Sequence, residues 1–205
     1  MSSFDKLQQL LTELPGIGPR QARRFATFLV RKNKGYVDQL TRALADTRDH
    51  MRICEDSCML FFSTDPKQTR SPIARDPNRD PSQLLVVEKD IDVEQIERSG
   101  SYHGQYFVVG GTVSFVEAEP EEQIRLAKLA ESIEKRAADG LSEVILGLSA
   151  TPEGEHTAGI LKTKLAEIIE KHKLTVSTLG RGLSTGTELE YSDENTIKDA
   201  LKNRQ

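Results

Sequence analysis

The chain has no surplus of positive charge. Its 28 Lys and Arg face 32 Asp and Glu, for a formal net charge of −4, so it is no basic wrapper for nucleic acid and any grip on phosphate has to be local. Cysteine is scarce as well. The two residues, Cys54 and Cys58, read in a cytosolic chain as free thiols or metal ligands rather than as a disulfide. No apolar run approaches the length of a membrane span, and the first residues carry no signal-peptide core, which makes the cytosol the expected compartment and leaves no membrane partner. Internal repeats and long low-complexity tracts are missing too. With 205 residues, 37% hydrophobic and 29% charged, there is room for one large domain or two small ones around a real core.

Against this acidic average one stretch is different. From Gly16 to Lys34 there are six bases, Arg20, Arg23, Arg24, Arg31, Lys32 and Lys34, and no acid. The segment opens as Leu14-Pro-Gly-Ile-Gly-Pro-Arg-Gln-Ala-Arg-Arg24. Gly16 and Gly18 omit Cβ where the backbone turns sharply and passes close to something, and Pro19 suits the first turn of a helix. N–H groups at a helix start, at the positive end of the dipole, attract anions. Arg20 and Arg24 lie one turn apart on one helical face and reach the same phosphate backbone. The pattern predicts a phosphate-gripping, nucleic-acid-binding hairpin; the plainer alternative is a tight turn between helices.

Apolar spacing predicts helices over 4–14, 21–30 and 36–50, the first two joined as a helix-hairpin-helix. Residues 51–81 hold both cysteines and four of the eight prolines and read as an irregular knuckle or connector. From residue 84 strands alternate with helices. Strands are predicted over 84–88, 105–111, 143–148 and 174–179, helices over 91–98, 120–140 and 157–172, and a terminal helix over 192–202. Such alternation means an α/β fold with a parallel sheet and crossover helices.

Ligands of such sheets gather beyond the C-terminal strand ends. Glu88 and Asp92 fall at one such end, and Glu153 and Glu155 lie in the loop after the third strand. Four carboxylates converging on that rim suit Mg²⁺; otherwise they are solvated loop acids. The Cys54-Glu-Asp-Ser-Cys58 segment supplies one pair of zinc ligands, with His50 and Asp65 as further donors, whereas structural zinc takes four ligands. The other reading packs both thiols with Met59, Phe61 and Phe62. Gly180 to Glu190 looks like a phosphate loop but lacks the Gly-Lys-Ser/Thr that would make it one.

Five of these segments, in order and spacing, resemble the RecR family of bacterial recombination mediators over essentially the whole chain. They are Leu14–Arg24, Val86-Val-Glu-Lys-Asp-Ile-Asp-Val-Glu-Gln-Ile-Glu97, Gly104-Gln-Tyr-Phe-Val-Val-Gly110, Pro152-Glu-Gly-Glu-His-Thr-Ala158 and Gly182-Leu-Ser-Thr-Gly-Thr-Glu-Leu-Glu-Tyr191. The resemblance implies a helix-hairpin-helix region for DNA binding and dimerisation over 1–53, a zinc-finger-like knuckle over 54–80, a Toprim domain over 81–178, and a Walker-B-like segment with an oligomerisation helix over 179–205. It implies a non-enzymatic, nucleoid-associated DNA-binding protein of recombinational repair. Such a protein works with RecO, and often RecF, to load recombinase on gapped single-stranded DNA, as a dimer or a ring-shaped tetramer. By position, Gly16, Gly18, Arg20 and Arg24 correspond to the DNA-contacting element. Glu88 and Asp92 correspond to the Toprim acids, and Glu153 and Glu155 to an acidic loop associated with RecO.

The sequence departs from that family pattern at the finger. Ser71 and Ala74 stand where the second cysteine pair would fall, so Cys54 and Cys58 are a remnant. The knuckle is expected to hold without zinc, through Phe61 and Phe62, and no cofactor is expected. The rival class is a metal-dependent Toprim nuclease or other phosphoryl-transfer enzyme. It needs a Glu with a closely spaced Asp pair, and that loop reads Ser149-Ala-Thr151 here.

Overall fold

Ser2 starts the first helix by accepting the Asp5 N–H, while the Asp5 carboxylate accepts the Ser2 N–H at 2.9 Å, a reciprocal cap. In this computed structural model, which describes residues 1–115, 123–180 and 196–198, α1 spans Ser3–Thr12, α2 Pro19–Arg31 and α3 Lys34–His50. Asn33 caps α3 by accepting the Tyr36 N–H at 2.8 Å. These helices, with Phe62–Thr64, form the first of two units; the second comprises Arg52–Phe61 and Asp65–Gln205. The side chains of Ala22 and Ala26, on one face of α2, are fully buried, whereas α1 and α3 bury none of theirs completely.

The segment expected to be irregular has some order. It contains the short strands β1 (Met51–Ile53) and β2 (Leu60–Phe62), paired as a ribbon, and one helical turn, α4 (Pro72–Arg75). Then come β3 (Asp80–Val87), α5 (Asp90–Ser99), β4 (Gly104–Val108), α6 (Leu126–Ala138), β5 (Glu143–Gly147), α7 (Pro152–Lys164), α8 (Ala166–His172) and β6 (Thr175–Thr178). The sheet is parallel in the order β4-β3-β5-β6. The single helix expected over 157–172 is instead α7 and α8, divided at Leu165.

Strand alternation separates two buried faces. Leu84 and Val86 of β3 point to a cluster with Leu129 and Ile133 of α6 and Leu161 of α7. Leu85 and Val87 point the other way, to a cluster with Val93 of α5, Tyr106 and Val108. That second cluster also contains Cys54, Met59, Phe61 and Ala74. The knuckle is therefore the lid over one face of the sheet, which accounts for β3 being apolar on both sides.

Candidate functional site

The hairpin forms as its glycines require. Gly16 adopts φ +75°, a conformation that favours glycine, and the Ile17 N–H closes the turn onto Leu14 O at 3.0 Å. Gly18 is the N-cap of α2, Pro19 follows at N1, and no side chain caps this start, so the first-turn N–H groups face outward at the positive end of the dipole. Arg20, Arg23, Arg24, Arg31 and Lys32 are all exposed, and with Gln21, Phe25, Thr27 and Phe28 they line one shallow groove along α2. Lys32 Nζ lies 4.6 Å from the centre of the Phe28 ring, and Phe28 meets Tyr36 edge to face. Arg20 and Arg24 thus share a surface with three further cations that the family pattern does not single out.

The acidic rim differs from the expectation. The chain crosses from β3 to β4 on one side and then from β4 back past β3 to β5 on the other, so the ends of β3 and β5 flank the switch point where such folds bind ligands. Glu88 follows β3 there, 7% exposed, but its Oε1 already accepts the Ser149 N–H at 2.6 Å and the Ser149 hydroxyl at 2.5 Å. Asp92 turns to its own helix start and accepts the Lys89 N–H at 2.8 Å. Glu153 and Glu155 are not loop residues. Thr151 accepts the Gly154 N–H at 3.1 Å and caps α7, which puts both acids in its first turn, where the dipole stabilises them. The four carboxylates do not converge, and among the described residues no three His, Cys, Asp or Glu side chains gather as a metal site. A Thr151-Pro152-Glu153 start was legible as a helix signal. Gly154 has no room for a side chain, since a Cβ there would meet Ser149 O at 2.1 Å.

The knuckle's two cysteines line one pocket and are both buried. Cys54 packs in the cluster under the second face with Met59 and Phe61, and Cys58 in the other cluster. Phe62 does not join them. It is 52% exposed, against 7% for Phe61, and its ring lies against His50. His50 Nδ1 sits 2.8 Å from Asp46 O, and the Asp65 carboxylate accepts the Lys67 N–H at 2.9 Å. Ser71 is fully buried; its hydroxyl accepts the Ala74 N–H at 3.2 Å and its own N–H points to Cys54 Sγ at 3.3 Å. Burial raises the Cys54 thiol, but hydrogen bonds from Ser57, Ser71 and the Asp56 backbone outweigh it and leave the thiol more acidic than usual, while burial pushes Cys58 up. Both cysteines line one pocket, but a committed hydroxyl and a methyl stand where a tetrahedral zinc set takes its other two thiolates.

Sequence reasoning missed the residue that organises this region. Asp56 is buried, and its carboxylate accepts from Arg70 Nε and, at 3.0 Å, from Lys135 Nζ on α6. Its carbonyl accepts from Ser132 and Arg136 at 3.1 and 3.2 Å. Burial works to raise the Asp56 carboxyl, yet Lys135 and Arg70 hold it below the ordinary aspartate range. No periodic or motif signal joins positions so far apart in sequence.

Three family profiles match the chain on either side of the knuckle, leaving residues 49–81 unmatched. The RecR helix-hairpin-helix profile matches residues 4–48, the Toprim domain residues 82–180 and the RecR C-terminal profile residues 182–205. Recombination protein RecR of Methylocella silvestris is 38% identical over 201 residues, 98% of this chain and 94% of the relative. The chain belongs to the RecR family. RecR of Rhodospirillum rubrum is similarly 38% identical over 205 residues, covering 98% and 96%, and RecR of Methylorubrum extorquens 36% over 201 residues, covering 98% and 94%. All of the RecR C-terminal match but residues 196–198, the Gly180–Glu190 loop beyond its first residue and most of the expected terminal helix lie outside the described residues. Among those described, no helix is long and apolar enough to cross a membrane.

Proposed function

We propose that this chain is a DNA-binding mediator of recombinational repair that acts without catalysing a reaction. The observation that carries the reading is the exposed, acid-free cationic groove at the uncapped start of α2, on a chain whose net charge is −4. Cations on one helix, with N–H groups at its open end, suit phosphates and carry no base code, so binding is indifferent to sequence. In keeping with the family, the groove holds gapped or single-stranded DNA while RecO-like and RecF-like proteins dock elsewhere, the helical acids Glu153 and Glu155 being the surface offered to RecO.

One such groove on an acidic subunit binds weakly, and a homo-oligomeric ring multiplies it by effective concentration. Support for a second copy comes from the first unit itself. Leu10, Leu14, Val30, Tyr36, Leu40 and Leu44 are exposed there, an apolar surface of the sort that another protein surface covers. The enzymatic alternative is disfavoured by Glu88, whose carboxylate is held by Ser149 where phosphoryl-transfer chemistry needs it on a metal.

The deciding experiment is DNA affinity against salt for the unaltered chain and for Arg20→Ala with Arg24→Ala. The reading expects a steep salt dependence that the double substitution flattens equally on unrelated sequences. Unchanged binding removes the assignment. Mg²⁺-dependent nicking that disappears in Glu88→Ala would restore the enzyme.

A further inference from the structure

The turn at Cys54–Cys58 and the turn at Ser71–Ala74 are the two halves that a metal ion joins in a four-thiolate knuckle. Here they are joined by other means. The Arg70 guanidinium reaches both, with Nε on the Asp56 carboxylate of the first turn and Nη2 on Ala74 O of the second at 2.9 Å. The backbones are stitched alongside it, the Glu55 N–H donating to Thr69 O at 2.9 Å and the Ser71 N–H to Cys54 Sγ at 3.3 Å. Ser71 uses its hydroxyl to cap the second turn, and the Ala74 side chain is buried in the same apolar cluster as Phe61, Val87 and Tyr106.

We propose that Arg70 takes the place of the metal as the cross-link between the two turns, and that the knuckle of this chain folds and stays folded without zinc.

The chemistry suits the substitution. A guanidinium is planar, permanently charged and carries donors on several edges, so one side chain satisfies acceptors on two segments at once. Asp56 supplies the anionic end that thiolates would otherwise provide. Its second oxygen, on Lys135, and its carbonyl, on Ser132 and Arg136, dock the assembly onto α6. From the other side Arg125 Nη1 donates to Cys58 O and to Val108 O, both at 3.0 Å, and the Val108 N–H donates to Ser57 O at 2.8 Å. The knuckle is bonded to the sheet edge and shares its core, so it has the support that an isolated metal finger lacks.

The test uses the full chain. Elemental analysis is expected to find zinc well below one ion per chain, and prolonged exposure to a strong chelator to leave the thermal midpoint unmoved. Arg70→Met keeps the stem and removes the fork. It is expected to speed amide hydrogen exchange at 54–60 and 69–75 by roughly tenfold or more relative to β5, with Arg70→Lys, which lacks the two-edged fork, exchanging nearly as fast. Stoichiometric zinc whose removal lowers the midpoint overturns the proposal. So does an Arg70→Met chain whose two turns exchange as slowly as the original. The chelator arm uses the unaltered chain and decides the matter even if Arg70→Met fails to accumulate.

Discussion

The two units of this chain are stabilised in different ways. In the second, both faces of a parallel sheet are covered, and its loops are tied down by Glu88 on Ser149, Asp90 on the Leu60 N–H at 2.6 Å, and Asp56 on Arg70 and Lys135. In the first, Ala22 and Ala26 are the fully buried apolar side chains, while Leu44 is 65% exposed on α3. Apolar burial is the main source of folding free energy, so a unit that leaves its large side chains in water depends on a further surface. The second unit is finished within one chain. The first leaves aromatics and cations exposed, and it is the part proposed above to engage other molecules.

The contrast is broken most severely on α3, outside the cationic groove. Leu44→Asp puts a charge on the exposed apolar face, and it is expected to dissociate the assembly and weaken DNA binding by about 100-fold at equal subunit concentration, the scale of lost multivalency. Light scattering alongside a binding titration checks both. Binding that survives in a monomer separates DNA contact from assembly. Next in size, Arg20→Ala with Arg24→Ala is expected to leave the assembly intact and to lower the slope of log affinity against log salt by about 1.4 on single-stranded DNA, roughly 0.7 for each phosphate that is no longer neutralised.

The elements that defined this contrast were unequally visible in the sequence. The hairpin was legible because its signals are local, two glycines, a proline at N1 and a run of bases within one helix. The strands were legible because Leu84-Leu-Val-Val87 is apolar without interruption, which already required cover on both faces. Which segment covers the second face was not legible. Cys54, Phe61 and Ala74 reach Tyr106 and Val108 through the fold, and Asp56 meets Lys135 across 79 positions, a distance at which no periodicity informs. Thr151 and Pro152 are local helix-start signals, so the placement of Glu153 and Glu155 in a first helical turn rather than a loop is legible from sequence.

Smaller effects belong to the second unit and should leave the first untouched. Ser71→Cys with Ala74→Cys supplies two more thiols and, if its backbone keeps the spacing of a metal knuckle, converts the region into a zinc binder in which Arg70→Met becomes nearly silent. Cobalt absorption and hydrogen exchange at 54–60 report this. The smallest effect is on pH. Because the folded Asp56 carboxyl lies below the ordinary aspartate value, its contribution to stability is complete above about pH 4 and is lost as pH falls through the folded value. Thermal midpoints of the original chain and Asp56→Asn are therefore expected to differ at neutral pH and to converge in acid.

The knuckle's place under the sheet also fixes an order of events during synthesis. A four-thiolate finger can close as soon as its own residues leave the ribosome, because the ion supplies the missing core. With Arg70 in place of the ion, as proposed, this knuckle has no such means. Cys54, Met59 and Phe61 are translated well before Tyr106 and Val108, against which they pack, so the segment emerges sticky and must wait for some fifty residues of chain behind it. At roughly 5–20 residues per second that is a delay of several seconds. On the proposed Arg70 cross-link, independence of zinc is thus matched by a brief dependence on whatever shields a nascent apolar loop.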